Sequence, residues 1–282
     1  LLSRSSDLSL LTKPKMSQVH QHGLMVGAGW GNVMDTYLSP YSYKGTNLRV
    51  VRETQRNIQR FFVGNTEVKF QTLLDVDGSI LENPIGNVDG YAGGVRYSAS
   101  WQYPLNSDKR HTPSFFRQLF GTTPHDSPTL LLYAGPMLSG YVGGVYNDRN
   151  GNNPAQAKMD LSLDATASAF FHFNIQELPC TLRYQVALPL MGLAFSPNYG
   201  QSYYEIFSLG NSDHNVVFTN VVNAPSMRHL LTLDVPLAKR ATAPTLRIGY
   251  AGVFMQSDYN NLRYHSYAHT ILFGFTKSFR SL

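Results

Sequence analysis

Cysteine, long apolar runs and charge are all scarce in this 282-residue chain. A single cysteine, Cys180, rules out an internal disulfide framework and a multi-cysteine zinc site. No apolar run exceeds about six residues, far short of the roughly 18 needed for a membrane-spanning helix. Helix-bundle membrane architecture is therefore excluded. Charged residues make up 15% of the chain, against roughly 25% in an average soluble protein. The net charge is +5 with a pI near 9.2. The basic residues form no cluster of the kind a nucleic acid requires, so none is expected as a partner. Basic groups at a membrane boundary, facing anionic lipid, account for the excess.

Aromatic residues are plentiful, with 17 Tyr and 16 Phe but only 2 Trp. Low charge with many Tyr, Phe and Gly is the composition left by strands that alternate between lipid and a polar interior. The order of residues carries the same message. Over 158–175, Met159, Leu161, Leu163, Ala165, Ala167, Ala169, Phe171, Phe173 and Ile175 form one face. Lys158, Asp160, Ser162, Asp164, Thr166, Ser168, His172 and Asn174 form the other, interrupted only by Phe170. A period of two sustained this long predicts a strand longer than soluble sheets use. The pattern recurs at 67–76, 88–103, 181–190, 226–237, 245–256 and 261–280, and less cleanly at 17–30, 46–56 and 129–146. Lipid offers backbone groups no partner, so such strands must close into a ring.

The expected fold is an all-β, transmembrane, antiparallel up-and-down β-barrel. Ten strands are clear. A shorter pair at 202–209 and 215–222, joined by GNSDH, favours twelve, with ten as the alternative. Residues 1–16 are expected to form a periplasmic segment and 17–282 a single barrel domain. The chain opens without a charged segment followed by an apolar one, as a mature chain does after signal removal. With both termini periplasmic, segments 31–44, 77–87, 147–156 and 191–201 face outward. A long periplasmic connection, 104–127, holds Phe115, Phe116, Leu119 and Phe120, a surface for docking a partner or lying on the membrane.

The polar face supplies the candidate site. Arg49, Glu53, Lys69, Asp75, Arg96, Asp160, Asp164, Arg183, Arg228, Asp234 and Arg247 carry both signs and would neutralise one another inside the lumen. Glu53 is expected to pair with Arg49. Such an interior suits a largely filled barrel better than a wide pore. GAGWG at 27–31 lacks the helix a dinucleotide loop requires. Asp148-x-Asn150-x-Asn152 lacks the distal acid of a calcium loop. His20 and His22 start the first strand while His265 and His269 start the last, so the pairs fall at opposite ends. His229 and His269 sit on the apolar parity, at interface positions. No catalytic residue, metal or cofactor is expected.

Residues 25–56 add a resemblance. Asn32, Asp35, Thr36, Tyr37, Leu38, Ser39, Pro40, Tyr43, Gly45, Arg52 and Glu53 match an opening motif similar to that of an uncharacterised outer-membrane β-barrel family of the Bacteroidetes. The resemblance implies a membrane barrel and supplies no activity. Locally, Ser39-Pro40 predicts a fixed bend in the first outer loop, with Gly45 restarting the strand. The functional expectation is a structural or accessory subunit of a larger outer-membrane complex, in contact with outer-membrane lipid, lipopolysaccharide and other outer-membrane proteins or lipoproteins. A small passive channel is the first alternative and a hydrolase at the barrel rim the second.

Overall fold

The computed structural model describes residues 18–59, 67–106, 128–151, 153–175, 178–238 and 243–281. The strands are β1 (Gln18–Asp35), β2 (Ser39–Gln59), β3 (Glu67–Glu82), β4 (Val88–Pro104), β5 (Thr129–Asn147) and β6 (Ala155–Ile175). They continue as β7 (Leu178–Phe195), β8 (Val216–Asn220), β9 (Ser226–Pro236), β10 (Thr245–Tyr259) and β11 (Leu262–Ser281). Ten of them form a ring in chain order, β7 pairing directly with β9. The ring shuts where β1 pairs antiparallel with β11, from Gln18 opposite Ser281 to Asp35 opposite Tyr264. Closure pairs the first strand with the last, so that neither is left as an open edge.

Carrying each strand pair's register once around the ring leads from His20 to Asn32 on the same strand. That stagger of 12 residues on ten strands tilts them by about 40° to the axis. β8 lies outside the ring. It pairs with the upper part of β7, Met191 to Phe195, while β9 takes the lower part, Thr181 to Ala187.

The observed count is thus ten, the second of the two expected from the sequence. The extra pair does not exist as a hairpin. Tyr203–Phe207 forms a single helical turn, α1. It starts because Ser202 and Glu205 make a reciprocal capping box: Glu205 N donates to Ser202 Oγ at 3.3 Å and Ser202 N donates to Glu205 Oε2 at 2.7 Å. The first outer loop is also shorter than 31–44. The strands run on to a turn at 36–38, where the Asp35 side chain accepts a hydrogen bond from Tyr37 N at 3.1 Å. Ser39-Pro40 opens β2 rather than bending the loop, and Gly45 lies within an unbroken strand. β10 and β11 meet in a two-residue turn, Asn260-Asn261, with φ of 55° and 57°. Asparagine tolerates that conformation, which matches the twist of the flanking strands.

Side chains divide as the period of two requires. Leu24, Trp30, Val142 and Phe273 face outward and are more than half exposed. Met25, Glu53, Arg183, Arg247 and Leu272 face inward and are buried. Apolar outside and polar inside inverts the soluble arrangement; it is the order of a membrane-spanning barrel. On β4, the outward Tyr91 and Trp101 mark a lipid-facing band about 25 Å tall, from a rise of about 3.3 Å per residue and this tilt. Glycines admit large inner side chains: a Cβ on Gly94 or Gly143 would fall 2.6 Å or 2.5 Å from the Tyr141 hydroxyl oxygen.

Candidate functional site in the barrel interior

The interior is built around Glu53, on β2. Its Oε1 accepts from Arg183 Nη1 of β7 at 2.5 Å, while Arg247 Nη1 of β10 donates to Oε2. Arg247 also grips Asp234 of β9 with two parallel bonds, Nε to Oδ1 at 2.5 Å and Nη2 to Oδ2 at 2.6 Å. Side chains from four strands therefore meet across the axis. Amides complete the cluster. Gln55 Nε2 and Gln71 Nε2 donate to Glu53 Oε1 at 2.7 Å and 2.5 Å. Gln71 and Gln185 exchange hydrogen bonds at 2.8 Å and 2.7 Å. Gln102 Nε2 donates to Gln71 Oε1 at 2.9 Å.

Nearer the distal end, the end away from the chain termini, three further pairs line the wall. Arg49 Nη1 meets Asp75 Oδ2 at 2.6 Å. Arg96 holds Asp160 with bonds of 3.0 Å and 3.2 Å. Arg228 Nη2 donates to Asp164 Oδ2 and, at 2.9 Å, to Ser139 Oγ. Ser139 and Ser162 donate to the same Asp164 carboxylate, each at 2.6 Å. Lys69 Nζ sits 3.4 Å from the ring centroid of Phe170 and 4.4 Å from that of Tyr133.

All eleven charged residues expected in the lumen face it. One expected pair does not form: Glu53 does not meet Arg49. They lie four positions apart on one strand, about 13 Å at the rise of a β-strand, so each takes partners from other strands. Phe170, the single break in the β6 alternation, is inward and buried because it gives Lys69 an aromatic face. The glutamines share the inward parity of the charges, but residue type alone does not single them out. Lys158 Nζ, 3.0 Å from Asp35 Oδ2 and 3.9 Å from the Tyr264 ring centroid, is a further inward pair that charge counting left aside. Phe115, Phe116, Leu119 and Phe120 lie outside the described residues.

Residues 196–215 cover the distal mouth. Tyr37 Oη donates to Gln201 O at 2.9 Å, and Ala157 N donates to Tyr203 Oη at 2.7 Å. Tyr199 N donates to Asn260 O at 3.2 Å. Burial first, then the neighbouring Tyr203, Asp35 and Glu205, push the Tyr37 phenol up to about 12. It stays a hydrogen-bond donor at any physiological pH. Backbone and side-chain donation from Ser202 lowers the Glu205 carboxyl, so the helix cap keeps its charge.

Among the described residues, the interior holds cavities that include ones of about 80, 60 and 20 Å³. The first runs from Arg96, Asp160 and Arg228 outward to Pro189, Met191 and Ser226. It marks a break in the wall: the β7–β9 ladder ends at Ala187 opposite Arg228, and Pro189 has no N–H with which to continue it.

A rim hydrolase would need a nucleophile, a base and an orienting group in sequence. Among the described residues, one such set is Ser42, His265 and Asn32, on the outward parity near the distal end. Ser42 Oγ is 3.5 Å from His265 Nε2, but Asn32 Oδ1 takes both Ser42 Oγ, at 2.5 Å, and His265 Nε2, at 3.2 Å. The third group thus competes for the atom that would accept the serine proton, instead of orienting the opposite ring nitrogen. Among the described residues, no three His, Cys, Asp or Glu side chains gather as a metal site. His229 and His269 take outward positions in an aromatic cluster, with Tyr250 Oη 2.5 Å from His269 Nδ1 and Trp30 stacked on His269 at 5.3 Å.

Ten tilted strands with an apolar exterior and an interior crossed by ion pairs define a membrane-spanning β-barrel. The chain belongs to the family described as protein of unknown function DUF3316, which matches residues 11–282. No curated protein matches it. Among solved structures, it is similar to the outer membrane protease OmpT from Escherichia coli, at 9% identity, 95% of this chain and 99% of that chain, with a TM-score of 0.46. It is similar to the transport unit of the autotransporter AIDA-I from Escherichia coli, at 8% identity, 96% and 92% coverage and a TM-score of 0.45. A third likeness is to the translocator domain of the autotransporter NalP from Neisseria meningitidis, at 10% identity, 95% and 91% coverage and a TM-score of 0.38.

Proposed function

We propose that this protein resides in the outer membrane of a Gram-negative bacterium, of the Bacteroidetes type that the opening motif resembles. There it serves as a structural or accessory subunit of a larger assembly and not as a passage for solutes. The observation that carries this reading is the Glu53 cluster. Arg183, Arg247 and Glu53 are each buried to within 2% exposure and joined to one another across the axis. An ion crossing the lumen would have to separate charges that have no water to replace their partners. The covered distal mouth adds a second obstruction.

The accessory role draws support from segment 199–222, which leaves Phe207 70% and Val222 85% exposed, beside Tyr199, Tyr204 and Leu209. Apolar surface of this extent on a connecting segment suits contact with another protein. No catalytic step forms part of this reading.

Two measurements test it. In a planar bilayer, the purified chain is expected to show no steady open level; a stable ohmic conductance would favour the channel reading instead. After mild detergent extraction from its own membrane, light scattering coupled to gel filtration is expected to give a protein mass above the 31.5 kDa of one chain. A strictly monomeric species would overturn the subunit role.

A further inference from the structure

The outer wall carries a cluster of cations where lipid should be its only neighbour. On β2, Arg52, Thr54 and Arg56 face outward in succession, and both arginines are exposed. Thr54 stands opposite His22 on β1, and His22 opposite Lys277 on β11. His20 stands opposite Arg56. Cross-strand neighbours lie about 5 Å apart and same-face neighbours on one strand about 7 Å. Arg52, Arg56 and Lys277 therefore surround a single small area, with His22 at its centre. Thr54 Oγ1 lies 3.3 Å from His22 Nδ1.

Two properties separate this patch from an ordinary basic boundary. First, among the described residues, no acidic side chain faces outward on β10, β11, β1, β2 or β3 between this level and the end that bears the termini. Arg52 and Arg56 share β2, and Lys277 lies one strand beyond β1, about 10 Å away; like charges at that spacing repel one another unless an anion lies between them. Second, Arg52 stands deeper in the wall than the other two cations. It stands opposite Leu24 and Leu74, with Leu24 in turn opposite Phe275. That places it about 10 Å inside the level of Arg56, given the strand rise and tilt. Among the described residues it has no ion-pair partner. An unpaired cation on the lipid face is costly at that depth, unless its long side chain reaches towards the boundary and finds a partner there.

The surrounding aromatics hold the other two cations at the boundary. The Arg56 guanidinium lies 4.9 Å from the Phe70 ring centroid and Lys277 Nζ 5.1 Å from that of Phe279. His22 meets Phe279 edge to face at 5.7 Å.

We infer that Arg52, Arg56 and Lys277 bind the phosphodiester of an anionic glycerophospholipid, in the leaflet at the end of the barrel that bears the chain termini. The phosphate sits over Thr54 and His22, and the acyl chains run along the wall past Leu24, Leu74 and Phe275. Guanidinium groups suit this ligand because they offer two parallel donors to phosphate oxygens. The inference rests on the lipid-facing wall alone, not on the subunit role proposed above.

The experiment uses the full chain in zwitterionic detergent, titrated with phosphatidylglycerol, phosphatidylcholine or lipid A and read by native mass spectrometry. The wild-type chain is expected to retain one phosphatidylglycerol at least tenfold more tightly than phosphatidylcholine. R52Q/R56Q/K277Q should lose that preference, while R263Q, which removes an exposed arginine at the distal end, should keep it. Retained preference in the triple variant, or equal binding of phosphatidylcholine, overturns the site. Tighter binding of lipid A than of phosphatidylglycerol overturns the glycerophospholipid assignment. Folding is checked by gel mobility with and without heating. Should the triple variant not fold, R52Q is expected to weaken phosphatidylglycerol binding severalfold and R52K to restore it, and an R52Q indistinguishable from wild type overturns the inference.

Discussion

Replacing Glu53 with glutamine removes one negative charge from the centre of the barrel and turns one of its two acceptor oxygens into a donor; with the amide oxygen kept towards Arg183, Gln55 and Gln71, the new NH2 faces Arg247 Nη1. The amide keeps the shape and can still bond to Gln55 and Gln71. Arg247 keeps both bonds to Asp234. Arg183 fares differently. Its ion-pair partner among the described residues is Glu53, and its Nε and Nη2 have no hydrogen-bond partner. Glu53→Gln therefore strands a guanidinium in a buried site. Removing one member of a buried pair costs about 3–5 kcal/mol, because the remaining charge is left uncompensated. Against a total stability of about 5–15 kcal/mol, that is a large fraction. With a urea dependence of about 2 kcal/mol per molar, the midpoint should fall by about 2 M. Refolding the chain in detergent micelles across a urea series, followed by Trp fluorescence and heat-dependent gel mobility, reads that shift. Adding Arg183→Met removes the stranded charge, so the double variant should recover most of the loss. A single variant whose midpoint matches wild type would refute the view that this cluster locks the interior. A double variant no better than the single would show that Glu53 and Arg183 do not act as a pair.

The same titration tests the inward aromatic. Phe170→Leu keeps an apolar side chain but removes the face 3.4 Å from Lys69 Nζ; the expected loss is about 1–2 kcal/mol, most of it regained in Phe170→Tyr, and an unchanged midpoint would refute the cation's dependence on that ring. At the distal mouth, Ser202→Ala should free the first turn of α1 at a cost of about 1 kcal/mol, seen as faster amide exchange in Tyr203–Phe207 with an unchanged global midpoint. Unaltered exchange there would show that the contacts of Tyr37 and Tyr203, not the cap, hold the segment over the mouth.

What could be read from the sequence, and what could not, follows from the range of each physical signal. Inside or outside is decided residue by residue, so the alternation in β6 assigns Asp160 and Asp164 to the lumen and Leu161 and Leu163 to the wall without any knowledge of neighbours. Partnership is decided by closure. Arg49 and Glu53 share a strand and opposite charge, yet Glu53 finds Arg183 and Arg247 because the stagger of the closed ring brings β7 and β10 to its height. No local pattern encodes that stagger; it emerges from the sum of ten registers.

Short elements fail for a different reason. Residues 202–209 alternate for too few positions to separate a strand from a turn, and the deciding signal is the pair Ser202 and Glu205, spaced for a helix cap. The lone exception within β6 proved informative by the same logic. Phe170 sits on the polar parity because its ring covers Lys69 Nζ at 3.4 Å, a partner that the alternation marks only as an exception. Arg52 is the mirror case, a cation on the apolar parity. Among the described residues no acidic side chain pairs with Arg52, and that lack of a partner is the ground for the lipid phosphate inferred beside it.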